Sequence, residues 1–181
     1  MENVEQQIAE LQKQVKDLSK DTQDDKISII VFSGDLDKVL AAFNIALGAS
    51  AMGMDVVLFF TFWGTPVLRD KKKKGKGKDI ISKMFGFMLP KGAGKLKLSQ
   101  MNMGGAGTLL MKHLMKKKNV SNIEEMLKLS AEMEINVYIC ELSMDLMGFQ
   151  HEEMIEYPNL VYCGVAKFIE EAKNSKVQLF I

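Results

Sequence analysis

Residues 26–60 read KISIIVFSGDLDKVLAAFNIALGASAMGMDVVLFF, and this stretch decides the fold class. The nearly continuous apolar run at 27–32 is typical of a strand buried on both faces of a parallel sheet. Residues 33–35 supply a turn and a helix cap, and a second apolar strand follows at 54–60. The residues between the strands repeat at helical spacing, with Leu36, Val39, Leu40, Phe43, Leu47 and Ser50 on one face. The order strand, helix, strand predicts a right-handed βαβ crossover.

The same alternation returns in the second half of the chain. Further strands are predicted at 135–140, 159–163 and 177–181, and a helix at about 106–117. Ser121 and Glu124 fit a capping box at the start of another helix. Five short strands alternating with helices predict a parallel sheet that is covered on both faces.

Two segments depart from this α/β pattern, one before the α/β domain of residues 25–181 and one inserted within it. Residues 1–24 carry a short heptad seam, formed by Val4, Ile8, Leu11, Val15 and Leu18. This helix either associates with other copies or lies on its own domain. Residues 64–103 form an insertion in which six lysines at 71–78 precede the apolar run 80–89. The insertion is interpreted as a lid over a pocket or as a surface for a partner or a membrane.

The composition excludes several functional classes. The 24 basic and 23 acidic residues nearly cancel, so no global charge attracts nucleic acid. The two cysteines and the polar, acidic N-terminus favour the reducing cytoplasm over a secreted disulfide scaffold. Two histidines and two cysteines at unrelated spacings predict no metal site. The glycines at 104–107 could cradle an anion before a helix, but they match no nucleotide-binding motif in register.

Cys140 is the strongest candidate for chemistry, because it ends a predicted strand. Ligands of open α/β sheets bind just beyond the carboxyl ends of strands. A helix starting near Ser143 would favour the thiolate through its dipole, whereas the neighbouring Glu141 and Asp145 would oppose it. The alternative is a buried structural cysteine, which packs as a small hydrophobic side chain.

Cys163 ends the next predicted strand along the chain. If the two strands are neighbours, they lie about 5 Å apart in the sheet. Cys140 and Cys163 could then act as attacking and resolving thiols. The alternative is two independent buried cysteines.

Six blocks of the sequence together resemble the DsrE/DsrF/DrsH-like proteins. The blocks are Phe60–Gly64, Lys83–Gly86, Lys95–Ser99, Met101–Gly105, Cys140–Gly148 and Gly164–Phe168. They lie within residues 27–172, and they are specific as a set although none is specific alone. The branch resembled is the DsrE-like or peroxiredoxin-like one, found near rhodanese and TusA-type genes.

This resemblance implies an α/β, flavodoxin-like three-layer fold with a mostly parallel five-stranded sheet, in a homo-oligomer that carries sulfur. In the family a cysteine at the end of this strand accepts sulfane sulfur as a persulfide, and the matching position is Cys140. Cys163 stands where related sequences more often carry a small residue, so the resemblance does not support a resolving thiol. The predicted pocket comprises Ser33, Gly34, Phe62, Trp63, Gly64, Met103, Gly104, Gly105, Ser143, Met144 and Gly164.

The sequence therefore predicts a cytoplasmic sulfur carrier or sulfurtransferase that needs no cofactor. Its expected partners are rhodanese-like donors and TusA-like acceptors. The alternative from another class is a non-enzymatic module, oligomeric or membrane-peripheral, in which residues 71–95 form the working surface. A nucleotide-binding flavodoxin-like protein is a third hypothesis, and it depends on fold analogy and the glycine cluster alone.

Overall fold

The computed structural model describes residues 7, 8, 10–12 and 24–181. Five parallel strands form one sheet in the order β4-β3-β2-β1-β5. The strands are β1 (Asp24–Val31), β2 (Asp55–Phe60), β3 (Asn136–Cys140), β4 (Leu160–Cys163) and β5 (Ser175–Phe180). The sheet and its flanking helices confirm the predicted α/β, flavodoxin-like class.

Six α-helices accompany the sheet over residues 24–181. They are α1 (Leu36–Ala51), α2 (Ile80–Met88), α3 (Ala106–Lys117), α4 (Ile123–Glu132), α5 (Glu141–Met147) and α6 (Val165–Lys173). The helix predicted at 106–117 coincides with α3. The helix expected to start near Ser143 starts at Glu141 instead, with Cys140 as its N-cap residue.

The predicted capping box of α4 is shifted by one residue. Asn122, rather than Ser121, is the N-cap, and its side chain accepts a hydrogen bond from the backbone N–H of Glu125. The Glu125 carboxylate accepts one from the backbone N–H of Asn122 in return. Adjacent Ser-Asn and Glu-Glu pairs satisfy the motif in two registers, and serine and asparagine are equally good N-caps.

The sheet is covered unequally. On one face α1 and α4 pack together over the main core, which includes the fully buried Phe43, Leu58 and Ile139. On the other face lies a smaller cluster, over which α6 packs through Phe168 and Ala172. Since β4 and β5 are opposite edges of the sheet, the chain crosses this whole face, and α6 contacts β1, β4 and β5 on the way.

Glycines bring together the loops that follow β1 and β2. A Cβ atom at Gly34 would overlap the carbonyl oxygen of Trp63, and one at Gly64 would overlap that of Val31. Phe62 lies between these contacts with a left-handed φ of 43°, which is uncommon outside glycine. The two loops therefore form one packed unit at the carboxyl edge of the sheet.

The insertion begins within the core. Residues 64–69 are buried and belong to the core. The surface-exposed part of the insertion, which was predicted to start at residue 64, therefore starts at about residue 71. Of the N-terminal heptad, Ile8 and Leu11 are helical and exposed, while Val4, Val15 and Leu18 lie outside the described residues. Among the helices that the structure describes, none has the length and apolar character to cross a bilayer.

Candidate functional site

The two cysteines lie side by side. Cys140 is the last residue of β3 and Cys163 the last of β4, and the two are directly paired in the parallel register. Both belong to the small cluster beneath α6, where they are 5% and 8% exposed, and both are free thiols. The strands are therefore neighbours, as the hypothesis of a thiol pair requires.

The surroundings of the thiols are apolar, but their cover is thin. The rings of Phe59 and Phe168 stack at 4.9 Å within the same cluster. Residues that follow the cysteines closely in sequence are exposed. They are Leu142 on α5, and Gly164 and Val165 at the start of α6. Both buried thiols therefore lie next to helix starts that are exposed to solvent.

Cys163 is held in its protonated form. Burial raises the pKa of its thiol above the usual value, and the neighbouring Cys140 and Glu141 raise it further. A thiol with a raised pKa forms little thiolate at neutral pH, and the thiolate is the attacking species in sulfur chemistry. The Cys163 thiolate is therefore disfavoured at this position.

A polar network borders the apolar cluster. Glu171 on α6 accepts hydrogen bonds from the Tyr138 hydroxyl at 2.8 Å and from the Lys26 ammonium at 2.9 Å, and it pairs with Lys167 at 3.1 Å. Burial alone would raise the pKa of Glu171, but the hydrogen bonds from Lys26, Tyr138 and Lys167 outweigh it and lower the pKa to about 2. Burial and the bond to Glu171 raise the pKa of Tyr138 to about 12.

The depressed pKa of Glu171 predicts a specific acid sensitivity. Its ordinary value is 4.5, so its contribution to stability is complete above that pH and is lost as the pH falls toward 2. Urea unfolding at pH 7 and pH 3 should show that Glu171→Gln loses less free energy of unfolding on acidification than the parent protein. Glu170→Gln, which removes an exposed carboxylate from the same helix, is the matched control. Equal losses in all three proteins would contradict the prediction.

A second group of predicted residues surrounds a cavity of about 370 Å³. Its lining consists of Phe32, Ser33, Gly34, Asp35, Lys38, Trp63, Leu89 and Pro90. The cavity follows β1, which lies between β2 and β5 where the strand order reverses, the usual place for a ligand crevice. Ser33 is engaged within it, since its hydroxyl donates to the Asp35 carboxylate at 2.9 Å. Cys140 is not among the lining residues, so the predicted pocket is divided.

Ser143 and Met144 are buried supports. The Ser143 hydroxyl shares a 2.9 Å hydrogen bond with Thr61 and accepts another from the backbone N–H of Phe62. It thereby ties α5 to the loop after β2. Met144 is 2% exposed and belongs to the main core.

The glycine cluster stands apart from the cavity lined by Ser33. Met103, Gly104 and Gly105 have positive φ values of 46°, 67° and 107° in the turn that leads into α3. Met103 is 78% exposed. Gly164 is different, because it follows Cys163 directly and is the N-cap residue of α6.

A buried ionic cluster lies between the loop after β2 and the segment after α5, and it was not predicted from the sequence. The guanidinium of Arg69 lies 3.7 Å from the Glu153 carboxylate and 4.6 Å from the ring centre of Phe149. It also donates to the backbone carbonyls of Gly86 and Pro90 at 3.2 and 3.3 Å. Lys78 forms a second ion pair with Glu153. The sequence contained one indication that this position is special, because Arg69 is the only arginine among the 24 basic residues.

Comparison with known proteins gives consistent matches. Residues 23–180 match the model of the DsrE/DsrF/DrsH-like family. The chain is 39% identical over 159 residues to the uncharacterized protein YrkE of Bacillus subtilis strain 168, an alignment that covers 88% of this chain and 98% of the relative. It is 35% identical over 160 residues to the sulfur carrier protein DsrE2 of Allochromatium vinosum, covering 86% and 98%. The crystal structure of YchN from E. coli shares the fold, with a TM-score of 0.50, 13% identity and coverage of 86% and 98%.

Proposed function

This chain belongs to the DsrE/DsrF/DrsH-like family, as its resemblance indicated, and from that premise we propose that Cys140 carries sulfane sulfur as a persulfide. The family, with a relative named as a sulfur carrier, supports a role in sulfur transfer. The observation that carries the assignment to Cys140 is its position, a free thiol at the carboxyl end of β3 beneath a thin cover. Burial raises the pKa of the neighbouring Cys163, which disfavours the thiolate of that residue.

The proposed reaction is a transfer between thiols without net oxidation. The Cys140 thiolate attacks the outer sulfur of a donor persulfide, forms a new S–S bond, and displaces the donor as its thiolate. The product is Cys140–S–SH. An acceptor thiolate then attacks the same outer sulfur, takes it as a persulfide, and releases Cys140 as a thiolate. The apolar cluster around Phe59 and Phe168 would limit attack on the Cys140 persulfide by small thiols in solution.

The proposed partners follow from this chemistry. A rhodanese-like protein would supply the sulfur and a TusA-like protein would accept it, in a reducing compartment such as the cytoplasm. We further propose a homo-oligomer, as the family resemblance implies. Val161 on β4, Ile169 on α6 and Phe180 on β5 are 39%, 58% and 68% exposed, and each is available for a contact with another copy.

Loading followed by transfer tests the carrier role. Reduced protein is incubated with polysulfide, or with thiosulfate and a rhodanese, and its intact mass is measured. We expect a gain of one sulfur atom, which reduction by dithiothreitol reverses. Addition of a reduced TusA-like protein should then move that mass to the acceptor. A protein whose Cys140 reacts with an alkylating reagent but gains no sulfur from either donor would contradict the proposal.

A further inference from the structure

Helix α2 turns its apolar face away from the protein. The exposed side chains follow the spacing i, i+1, i+4, i+7, i+8, which forms a single stripe on a helix. They are Ile80 (84% exposed), Ile81 (61%), Met84 (51%), Phe87 (92%) and Met88 (71%). No residue of α2 is buried.

The outward orientation is fixed by contacts on the opposite side of the helix. Ser82 packs so closely on Gly148 that a Cβ atom there would overlap its side chain. Arg69 holds the carbonyl oxygens of Gly86 and Pro90 from within the core. Because these contacts are on the opposite side of α2, the stripe faces away from the core and is available to a partner outside the chain.

The flanks of α2 carry a strong positive charge. Residues 71–95 contain nine lysines and a single acidic residue, Asp79, whereas the whole chain has a net charge of only +1. Lys71, Lys73 and Lys78 are paired with glutamates. Across residues 24–181, the structure shows no ion pair for the ammonium groups of Lys72, Lys74, Lys76, Lys83 and Lys91.

We propose that α2 and its lysine flanks dock the protein onto an anionic lipid surface. Helices that lie in the membrane interface combine one apolar face with abundant lysine, and the lysines are attracted to acidic headgroups. Trp63 supports the same orientation. It is 47% exposed and lines one cavity with Leu89 and Pro90, which directly follow α2, and tryptophan favours the interfacial region of membranes.

The charge argues against the simplest other occupant, a second copy bound through the same face. A symmetric contact places the same surface on both subunits, so it would bring two lysine-rich flanks together. Like charges at an interface disfavour association. An anionic lipid surface can accept the apolar stripe in its interfacial region and attract the positively charged flanks. Lipid docking is independent of the sulfur chemistry at Cys140.

Vesicle binding tests the proposal directly. The full chain is sedimented with vesicles of phosphatidylcholine alone and with vesicles containing phosphatidylglycerol, and the fluorescence of Trp63, the only tryptophan, is recorded. We expect binding to the anionic vesicles only, a blue shift of the emission, and a decrease in binding as salt is raised. The double variant Ile80→Ser/Phe87→Ser should bind at least about tenfold more weakly, since it removes buried apolar area. Lys72→Glu/Lys74→Glu should also weaken binding.

The matched control is Leu109→Ser/Leu110→Ser, which removes two exposed leucines, 71% and 61% exposed, from α3. It should bind as the parent protein does. Absence of binding to anionic vesicles, or equal loss in the α2 and α3 variants, would overturn the proposal. If Ile80→Ser/Phe87→Ser instead dissociates an oligomer in size-exclusion chromatography while vesicle binding is unchanged, the face belongs to another copy, and lipid docking is wrong.

Discussion

Replacement of Cys140 by serine is expected to abolish sulfur loading from polysulfide and from a rhodanese. A serine hydroxyl retains the shape of the side chain but cannot form a persulfide, so the expected sulfur adduct falls to background. The fold should remain, because the change substitutes one atom at a site that is 5% exposed. Placing a hydroxyl in this apolar cluster costs about 1–3 kcal/mol. Intact mass spectrometry measures the loading, and urea unfolding confirms the fold.

Cys163→Ser is the matched control for this substitution. Cys163 is paired with Cys140 in the sheet and shares the cluster beneath α6, so both variants carry the same change in the same surroundings. We expect Cys163→Ser to load sulfur as the parent protein does, because burial raises the pKa of this thiol and disfavours its thiolate. An adduct that persists in Cys140→Ser and disappears in Cys163→Ser would reverse the assignment.

Substitution of Glu153 by glutamine is expected to destabilise the protein by about 3–5 kcal/mol, the usual cost of removing one partner from a buried ion pair. The Glu153 side chain is 4% exposed and faces the guanidinium of Arg69, which is 3% exposed, and the ammonium of Lys78. Glutamine preserves the volume but leaves both cations without an opposite charge. Urea unfolding monitored by circular dichroism gives the change in the free energy of unfolding.

The neighbouring exposed residue provides the comparison. Glu152→Gln removes the same charge one position earlier, where the side chain is exposed, and its effect should stay within about 0.5 kcal/mol of the parent protein. Since Arg69 also holds Gly86 and Pro90, loss of its partner should loosen α2 and increase proteolysis in residues 71–95. Equal free energies of unfolding for the two variants would show that the Glu153 carboxylate does not stabilise the buried charge of Arg69.

Local patterns predicted most of the fold. Continuous apolar runs identified the parallel strands, and helical spacing identified α1, α3 and the interior face of α4, because each pattern depends only on nearby residues. The ends of β3 and β4 were predicted at Cys140 and Cys163. Their direct pairing could not be derived, since strand order is a property of the whole sheet.

The features that escaped prediction depend on contacts between distant segments. The apolar run at 80–89 was visible in the sequence, but the outward direction of α2 follows from the contact between Ser82 and Gly148, which are far apart in sequence. The burial of Arg69 likewise requires Glu153 and the carbonyl groups at the end of α2. The predicted pocket is divided because of the strand order, which also depends on contacts between distant segments. In that order β2 lies between β1, with the loop that follows it, and the strands that end in the two cysteines.

The path of α6 across the sheet has a consequence for the order of events during folding of the chain. β1 near the start of the chain pairs with β5 near its end, Ile27 facing Val177, and contacts between such distant segments form slowly. The helix that crosses the sheet to reach β5 is the same one that covers both thiols. We therefore expect closure of the sheet and burial of Cys140 to occur as one late event during folding. Until then an incompletely folded chain exposes the Cys140 thiol, which is only 5% exposed in the native state.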